Sequence, residues 1–409
     1  MSEPTSASKY QKMFSQPKLE TQEEMLEILN KRNSLFIGIP KETNPQENRI
    51  ALSPDSVKLI VNHGHRVIIE HDAGKRASFS DGEYSEAGAE IAYSKEEVFK
   101  ADVLIKVAPP TMDEVNFLKA DQMLISPLHL PIITQDFLSK LKQKRVIALA
   151  MEYLQDDDKS YPLVRIMSEL AGLSAVLTAA ELLSEAGGGK GILLGGVSGV
   201  PPSRVVILGG GVVGESAART AMGLGAEVRI FDNNIYKLMR IKSRLGQFLY
   251  TSSLNPHYLR KELVEADVAI GAIHSKIGRT PLIVNEDIVE QMKPGSVIID
   301  VSIDQGGCFE TSEVTSHDRP IFKKHDVIHY CVPNIASKVP RTSSIAMSNI
   351  LTPILIKAGT NGSLNDLFYI HPGLRRGIYI YKGSLTNKYL GDRFGLKYTD
   401  IDLLLASRI

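Results

Sequence analysis

The sequence predicts an α/β protein with two doubly wound, Rossmann-like parallel-sheet domains, joined by long helices and separated by a cleft. Short apolar runs alternate with segments of helical spacing, which is typical of a parallel sheet covered by helices. The alternation stops at a long apolar stretch over about residues 160–186 and restarts after it. The restart indicates a second sheet and not a continuation of the first.

Length and composition agree with this class and exclude others. The chain has 409 residues, which suggests two or three domains, and 43% of them are hydrophobic. Lys plus Arg and Asp plus Glu each number 47, so no overall basic field attracts nucleic acid or anionic lipid. With only Cys308 and Cys331, neither a disulfide framework nor a paired Cys-x-x-Cys zinc site can form. We expect a cytoplasmic protein without a metal.

Residues 1–33 form an N-terminal extension for which the sequence suggests no function. Thr21 and Glu24 have the spacing of a capping box, which predicts a helix over 21–32. The segment lacks an apolar core and contains several glutamates, so neither a signal nor a transit peptide is indicated; they are Glu3, Glu20, Glu23, Glu24 and Glu27.

Ten apolar runs predict the strands of the two sheets. We predict that residues 34–160 and 342–409 form one domain and residues 161–341 the other. The strand candidates are LFIGI, RVIIEH, VLIKV, QMLIS and VIALA in the first domain, and VVILG, EVRIF, DVAIGAI, SVIIDV and VIHYC in the second.

Two long helices are predicted between the domains, over about 160–186 and 343–358. The first carries Arg165, Glu169 and Glu181, so we expect a buried helix and not a membrane span. Glycines 187–189 are expected to end it.

A glycine-rich turn is the strongest local motif. Gly209, Gly211 and Gly214 follow an apolar strand and precede a helical segment. In a dinucleotide-binding motif the first glycine makes the tight turn, the second lets the backbone approach a pyrophosphate, and the third packs helix on strand. Val212 and Val213 then open the helix whose N-terminus faces the phosphates.

The end of the next strand indicates which dinucleotide binds. Asp232 lies 23 residues after Gly209, where a carboxylate accepts hydrogen bonds from the adenine ribose and repels a 2′-phosphate. The sequence therefore predicts NAD as the cofactor. Lys237, one turn further on, either contacts the ribose or is solvated.

Several ordered segments resemble a known family. They are IGIPKETNPQENRIALSP, LIKVAPP, SPLHL, RIMSELAG, GILLGGVSGV, the glycine motif, VSIDQGGCFE and HYCVPNIASKVPRTSS. Over about residues 34–400 the chain resembles the alanine dehydrogenase and nicotinamide nucleotide transhydrogenase family. IDQGGCFE, YCVPN and VPRTS are similar to the alanine dehydrogenase branch.

The resemblance implies an activity and an assembly. The activity is NAD-dependent, reversible oxidative deamination of L-alanine to pyruvate and ammonium. The assembly is a homo-oligomer, commonly a hexamer, without nucleic acid or membrane partners.

The resemblance also implies three residues that act on the substrate. Arg49 matches the arginine that binds the substrate carboxylate, for which a forked guanidinium is suited; the alternative is a surface arginine. His129 matches the catalytic histidine, which exchanges protons near neutral pH; the alternative is a core histidine. Asp304 matches the acidic residue that positions water or ammonium; the alternative is a turn aspartate.

Three further residues match the cofactor side. Asn334 resembles the residue near the nicotinamide ribose. Ser168 and Met167 resemble residues that line the cofactor cleft, although Met167 would equally fit ordinary helix packing.

One segment departs from the family pattern. Many alanine dehydrogenases have Lys-Val-Lys-Glu-Pro in the third strand, and the second lysine helps to hold the substrate. Here the segment is Lys-Val-Ala-Pro-Pro, with Ala108 at that position. Lys106 lies two residues earlier, about 6.6 Å away along a strand. It either reaches the substrate or is a solvated residue at the strand end.

Two alternatives to alanine deamination stay open at this point. The first is an NAD(H)-binding soluble subunit of a transhydrogenase, which the Ala-Pro-Pro segment favours and the IDQGGCFE segment does not. The second is a related lysine- or saccharopine-type dehydrogenase.

Overall fold

The computed structural model describes residues 34–130, 132–246, 249–275, 278–360 and 364–406. The helix predicted over 21–32 lies outside these ranges. The described strands, in chain order, are β1 (Phe36–Ile39), β2 (Arg66–Glu70), β3 (Glu90–Ala92), β4 (Val103–Ile105), β5 (Met123–Ser126), β6 (Ile147–Ala150), β7 (Arg204–Leu208), β8 (Glu227–Phe231), β9 (Tyr250–Ser252), β10 (Val268–Gly271), β11 (Val297–Asp300), β12 (Ile321–Lys324), β13 (Val327–Tyr330), β14 (Ile378–Tyr381) and β15 (Ser384–Leu385).

The helices alternate with these strands. In chain order they are α1 (Pro54–Asn62), α2 (Asp81–Glu86), α3 (Lys95–Val98), α4 (Met112–Phe117), α5 (Gln135–Lys144), α6 (Pro162–Leu183), α7 (Val212–Gly223), α8 (Ile235–Leu245), α9 (Pro256–Val264), α10 (Glu286–Val289), α11 (Pro340–Thr360), α12 (Leu364–Ile370), α13 (Pro372–Arg375), α14 (Lys388–Phe394) and α15 (Ile401–Ala406). Short 3-10 helices cover Lys75–Ala77, Met151–Tyr153, Val301–Gln305 and Ile335–Lys338.

The strands form two sheets, as the restart of the sequence pattern predicts. The first has the order β15-β14-β6-β5-β4-β1-β2-β3 and the second the order β12-β13-β11-β10-β7-β8-β9. Most pairs are parallel, but β14 pairs antiparallel with β6 and β15, and β12 pairs antiparallel with β13. The sheets are therefore mixed at one edge each, whereas the sequence predicted parallel sheets.

Both faces of each sheet are covered, so strand side chains alternate between two cores. Val205 and Ile207 of β7 pack in one cluster of the second sheet, and Val206 and Leu208 pack in the opposite one. This is why the central strands are continuous apolar runs in the sequence.

The two long helices connect the halves. Helix α6 begins in the core of the first sheet with Leu163 and continues into the core of the second from Ala171 onward. It contacts α7 and α11. Its length and composition would let it cross a membrane, but half of its most apolar window is buried in the protein. It ends at Leu183, a few residues before the predicted glycines, because Ser184 caps it.

Helix α11 holds the first βα connection through hydroxyl groups. The side chain of Ser344 accepts the N–H of Ile50 at 2.9 Å, and that of Ser348 accepts the N–H of Ser53 at 2.7 Å. Both serines are fully buried. Small polar residues on this helix face let it approach the loop backbone and satisfy its N–H groups. The loop is thereby fixed at its end, directly before α1 begins.

Candidate active site

A cavity lies where the carboxyl ends of the two sheets face each other. It has a volume of about 300 Å³. In the first sheet the strand order reverses between β1 and β4, and in the second between β7 and β10. Ligands of open α/β sheets bind at such switch points. The cavity is lined on one side by residues after β1, β4, β5 and β6, and on the other by residues after β10 and β11.

Two positions of the glycine turn have no room for a side chain. Gly209 has φ +113°, and a Cβ on it would overlap the carbonyl oxygen of Ala272. A Cβ on Gly214 would overlap the carbonyl oxygen of Gly209. In contrast, a Cβ on Gly211 would meet nothing within 4 Å, so the space above this residue is open. A pyrophosphate can therefore approach the backbone here and the N-terminus of α7 beyond it.

Val212 and Val213 begin α7, and Val213 also lines the cavity. Asp232 is buried at the end of β8. Its Oδ2 accepts the N–H of Gly210 at 2.7 Å, and its Oδ1 accepts the N–H of Asn234 at 2.7 Å. The carboxylate therefore ties the glycine turn to the start of α8. This geometry fits the dinucleotide site that the sequence predicted.

Lys237 is partly exposed and forms an ion pair with Asp232, with 3.1 Å between Nζ and Oδ2. With 42% of its side chain exposed, Lys237 is solvated as well as paired, so both readings of this residue stay open. The ammonium lies beside the carboxylate that holds the glycine turn.

Arg49 is buried and not at the surface, so the alternative of a surface arginine is wrong. Its Nε and Nη2 donate to the two oxygens of Glu47 at 2.7 and 2.6 Å. Burial by itself would lower the pKa of Arg49, but Glu47, Glu42 and Asp304 raise it above the ordinary value. The guanidinium is therefore charged and held rigidly, and it borders the cavity.

Glu47 also joins the two halves of the molecule. Its Oε2 accepts the Nδ2 of Asn334 at 2.8 Å, and Ser337 donates to Oε1 at 3.4 Å. Asn48 beside it donates its backbone N–H to Ser337 at 2.8 Å. Although burial would raise the pKa of Glu47, Arg49 and the amide of Asn334 lower it below the usual value. An ionised Glu47 thus connects the arginine to the second domain's loop.

Met167 and Ser168 of α6 line the cavity. The sulfur of Met167 accepts the Nη1 of Arg49 at 3.3 Å. Met167 therefore does more than fill the helix interface, because it contacts the one guanidinium nitrogen that Glu47 leaves available.

Asp304 and Asn334 meet on the opposite wall. Asp304 lies in the 3-10 helix Val301–Gln305 after β11, and its Oδ1 accepts the N–H of Asn334 at 2.9 Å. Asn334 has φ +58°, a left-handed conformation that asparagine tolerates. Burial raises the pKa of Asp304, against this N–H and the charges of His129 and Arg49, which lower it. Asp304 borders the cavity and is not merely a turn residue.

His129 follows β5 and stands beside the cavity. Pro127, two residues earlier, lines it, while the imidazole itself is accessible to solvent and close enough to Asp304 to be influenced by its charge. Although the ring reaches solvent, its partial desolvation lowers the pKa of His129, and the charge of Asp304 opposes this effect. The alternative of a core histidine is wrong, because the side chain is not enclosed. A neutral imidazole beside a carboxylate can exchange protons near neutral pH.

Lys106 lies elsewhere. It is only 1% exposed, so the solvated alternative is wrong. Its Nζ contacts Glu42 at 2.9 Å and Glu114 at 3.4 Å, and Glu42 also accepts the N–H of Val107 at 2.6 Å. Its carboxylate partners direct the ammonium into the protein at the end of β4, and the cavity lining contains its neighbour Val107 instead.

Sequence reasoning did not identify three residues of this site. Glu47, two positions before Arg49, could have been suspected as its partner. Glu152 follows β6, and His274 follows β10; both line the cavity. The position of Glu152 after a strand was a weak signal, and no motif pointed to His274.

The doubly wound sheets, the glycine turn and the cavity between the domains define a two-domain dinucleotide-binding protein of the Rossmann type. The family model for the alanine dehydrogenase/PNT N-terminal domain matches residues 38–171, and that for the C-terminal domain matches residues 175–388. The chain therefore belongs to the alanine dehydrogenase/PNT family.

Individual relatives agree with this assignment. The chain is 41% identical over 367 residues to an alanine dehydrogenase of Staphylococcus epidermidis, covering 90% of this chain and 98% of the relative. It is 40% identical to alanine dehydrogenase 2 of Staphylococcus aureus over the same shares.

Solved structures give the same result. An L-alanine dehydrogenase superposes with a TM-score of 0.83 at 39% identity, covering 88% of this chain and 99% of that one. A transhydrogenase from Sinorhizobium meliloti superposes with a TM-score of 0.74, covering 86% and 99%. At 22% identity this likeness shows the fold alone.

Proposed function

We propose that this protein is an NAD-dependent alanine dehydrogenase. L-Alanine, NAD and water give pyruvate, ammonium, NADH and a proton, and the reaction is reversible. The observation that carries the proposal is one cavity bordered by Arg49, Asp304 and the second domain's loops, in a chain 41% identical to an alanine dehydrogenase over nearly that enzyme's full length.

Arg49 binds the substrate carboxylate. Two of its nitrogens are committed to Glu47, so Nη1, next to Met167, is the donor left for a ligand in the cavity. Because Glu47 fixes the plane of the guanidinium, the substrate meets a donor that is already oriented. This arrangement differs from a bidentate carboxylate clamp, which the sequence reasoning assumed.

His129 and Asp304 handle the protons. The lowered pKa of His129 keeps its imidazole neutral near pH 7, ready to take a proton from the substrate amine or the attacking water. Asp304 holds the water, or the departing ammonium, on the side of the cavity next to Asn334. Because water adds to the imine and ammonia leaves, one group must accept and then return a proton, which His129 can do.

The NAD site fits the residues present. Gly211 leaves open space over its Cα, the N-terminus of α7 faces that space, and Asp232 with Lys237 stands where the adenine ribose would lie. Bound there, NAD supplies the acceptor for the hydride from the alanine Cα. Ser168 and Asn334 contribute polar groups where the nicotinamide half would reach the substrate side.

The test is NADH oxidation followed spectroscopically with pyruvate, with and without ammonium. We expect oxidation only when ammonium is present. Oxidation by pyruvate alone would mean a hydroxyacid dehydrogenase, and no oxidation despite NADH binding would contradict the proposal. Lysine with 2-oxoglutarate serves as the control for a lysine- or saccharopine-type enzyme.

We further propose a cytoplasmic homo-oligomer, a hexamer by the family resemblance. Cys308 and Cys331 are both buried free thiols, which suits a reducing compartment. Several large apolar side chains are exposed on the surface of the single subunit. Among them are Leu173 and Leu177 of α6 and Leu193 and Val200 of the following loop. A subunit contact would cover such a surface. Light scattering after gel filtration measures the mass.

The domain boundaries are also proposed as 34–160 with 342–409, and 161–341. Sheet membership supports them, because β14 and β15 lie beside β6 in the first sheet. Proteolysis of the native protein at the two connections would test these limits.

A further inference from the structure

Glu152 is a carboxylate in the cavity wall that the reaction above does not use. It lies in the 3-10 helix Met151–Tyr153, directly after β6. Strand β6 pairs with β5, so Glu152 stands next to the segment that leaves β5 and carries His129. Its Oε1 accepts the N–H of Leu128 at 2.8 Å and the N–H of His129 at 3.3 Å.

The other oxygen of this carboxylate is also unusual. Oε2 is buried and has no hydrogen-bond partner among the described residues. Within that part of the chain no cation compensates Glu152: burial raises its pKa, and only backbone N–H groups oppose this. Burying a carboxylate without a cation is unfavourable for stability. We therefore expect Glu152 to have a functional role.

His129 needs support from its surroundings. Its φ is +51°, a left-handed conformation that is uncommon for residues other than glycine. Such conformations persist where neighbouring contacts hold them, and they cluster at functional sites. The N–H groups that Glu152 accepts belong to His129 itself and to the residue before it. Glu152 therefore holds the backbone in place at the left-handed residue His129.

We propose that Glu152 is a positioning residue, which holds the Leu128–His129 turn and so aims the imidazole of His129 toward Asp304. It acts through hydrogen-bond acceptance by Oε1 and needs no negative charge to do so. The proposal rests on the proposed function for its kinetic readout, but its structural readout does not.

Two conservative variants separate acceptance from charge. Glu152→Gln is isosteric and keeps the acceptor oxygen but has no charge. Glu152→Asp keeps the charge, but its side chain is shorter by one methylene, so the carboxylate oxygens lie farther from the two N–H groups. We expect the Gln variant to keep kcat within about 3-fold of wild type and the Asp variant to lose about 10- to 100-fold, because small displacements of a reacting group are costly. The KM for NAD should stay within about 2-fold in both, since the variants leave the glycine turn intact.

Modification of His129 by diethyl pyrocarbonate, read by peptide mass across a pH series, gives an activity-independent measure. We expect the modification profile to change in Glu152→Asp and to match wild type in Glu152→Gln. Glu90→Asp, at a surface ion pair with Arg66, is the matched control and should change nothing. If wild type lacks alanine dehydrogenase activity, the proposed function fails while this comparison still tests Glu152.

Either of two results overturns the proposal. One is a Glu152→Asp protein with wild-type kcat and a wild-type modification profile of His129. The other is a Glu152→Gln protein as impaired as Glu152→Asp, which would mean that the charge, and not the accepted hydrogen bonds, matters.

Discussion

The cofactor turn and the substrate wall of this cavity are built in different ways. In the turn, Gly209 to Gly214 and Asp232 belong to one strand-helix-strand unit, and the Asp232 carboxylate accepts the N–H of Gly210. On the substrate wall, Glu47 contacts Arg49 two residues away but also Asn334, 287 positions further along the chain. One site is a local motif, and the other is an assembly of distant segments.

This difference determines which substitutions each region tolerates. In the turn, function depends on empty space and on backbone groups, so a single methyl can interfere. On the substrate wall, function depends on charges that hold one another in place, so losing one partner leaves another buried and uncompensated. Variants of the two regions should therefore fail in different ways.

The largest effect is expected from His129→Ala. Loss of a general base typically costs about 10²- to 10⁴-fold in kcat. Steady-state kinetics of alanine deamination measure it, with His63→Ala as the control, because His63 is an exposed histidine at the end of α1. Undiminished turnover in His129→Ala would remove this residue from the mechanism.

Lys106→Met tests the buried charges beside the substrate wall. Removing one partner of a buried ion pair costs about 3–5 kcal/mol, so the free energy of unfolding should fall by that order. Denaturant unfolding measures it, and Lys75→Met, with a side chain 73% exposed, should show little change. A stable Lys106→Met protein with a raised KM for alanine would instead make Lys106 a substrate ligand.

Arg49→Lys tests the forked contact with Glu47. Lysine keeps the positive charge but cannot donate to both oxygens of Glu47 while also presenting a fixed donor to the substrate. We expect the KM for pyruvate to rise about 10- to 100-fold with a smaller change in kcat. An unchanged KM would show that positive charge alone suffices at this position.

Gly211→Ala tests the empty space of the turn. The protein itself offers no clash, so the free energy of unfolding should change by less than about 1 kcal/mol. The added methyl fills space that a bound pyrophosphate needs, so the Kd for NADH should rise about 10-fold, or 1.4 kcal/mol. Gly223→Ala, equally unobstructed at the end of α7, is the control and should leave the Kd unchanged.

The smallest expected effect is a shift of the acid limb of the pH–activity profile to lower pH. Deamination needs neutral His129, and burial lowers the pKa of His129 below its ordinary value of 6.5. Activity should therefore be retained above the folded pKa and lost as pH falls through it, so the acid limb of kcat/KM should lie below pH 6.5. A pH profile with a limb above 6.5 would contradict the assignment.

The sequence was sufficient for the centre of each sheet and insufficient for the edges. All ten predicted strands are present, because central strands buried on both faces are continuous apolar runs. Strands β3, β9, β12, β14 and β15 were missed. β12, for example, reads Ile-Phe-Lys-Lys and is half exposed at an edge, so its pairing depends on β13 and not on its own composition.

The site follows the same division. The glycine turn and its Asp232 could be predicted because a local motif carries the whole geometry. The contact between Glu47 and Asn334 and the two N–H bonds accepted by Glu152 could not, because they depend on how separate strands end at one edge. The burial of Lys106 depends likewise on Glu42 and Glu114, which only the folded sheet brings near it.

The position of β14 beside β6 has a consequence for synthesis on the ribosome. Until β14 is made, about 230 residues after β6 ends, β6 is an open edge that can pair with other chains. At about 5–20 residues per second, translation leaves that edge open for about 10–50 s. The serines of α11 that bind the loop after β1 emerge just as late. The half of the protein that is translated first is thus completed last, whereas the strands of the second sheet emerge as one uninterrupted segment.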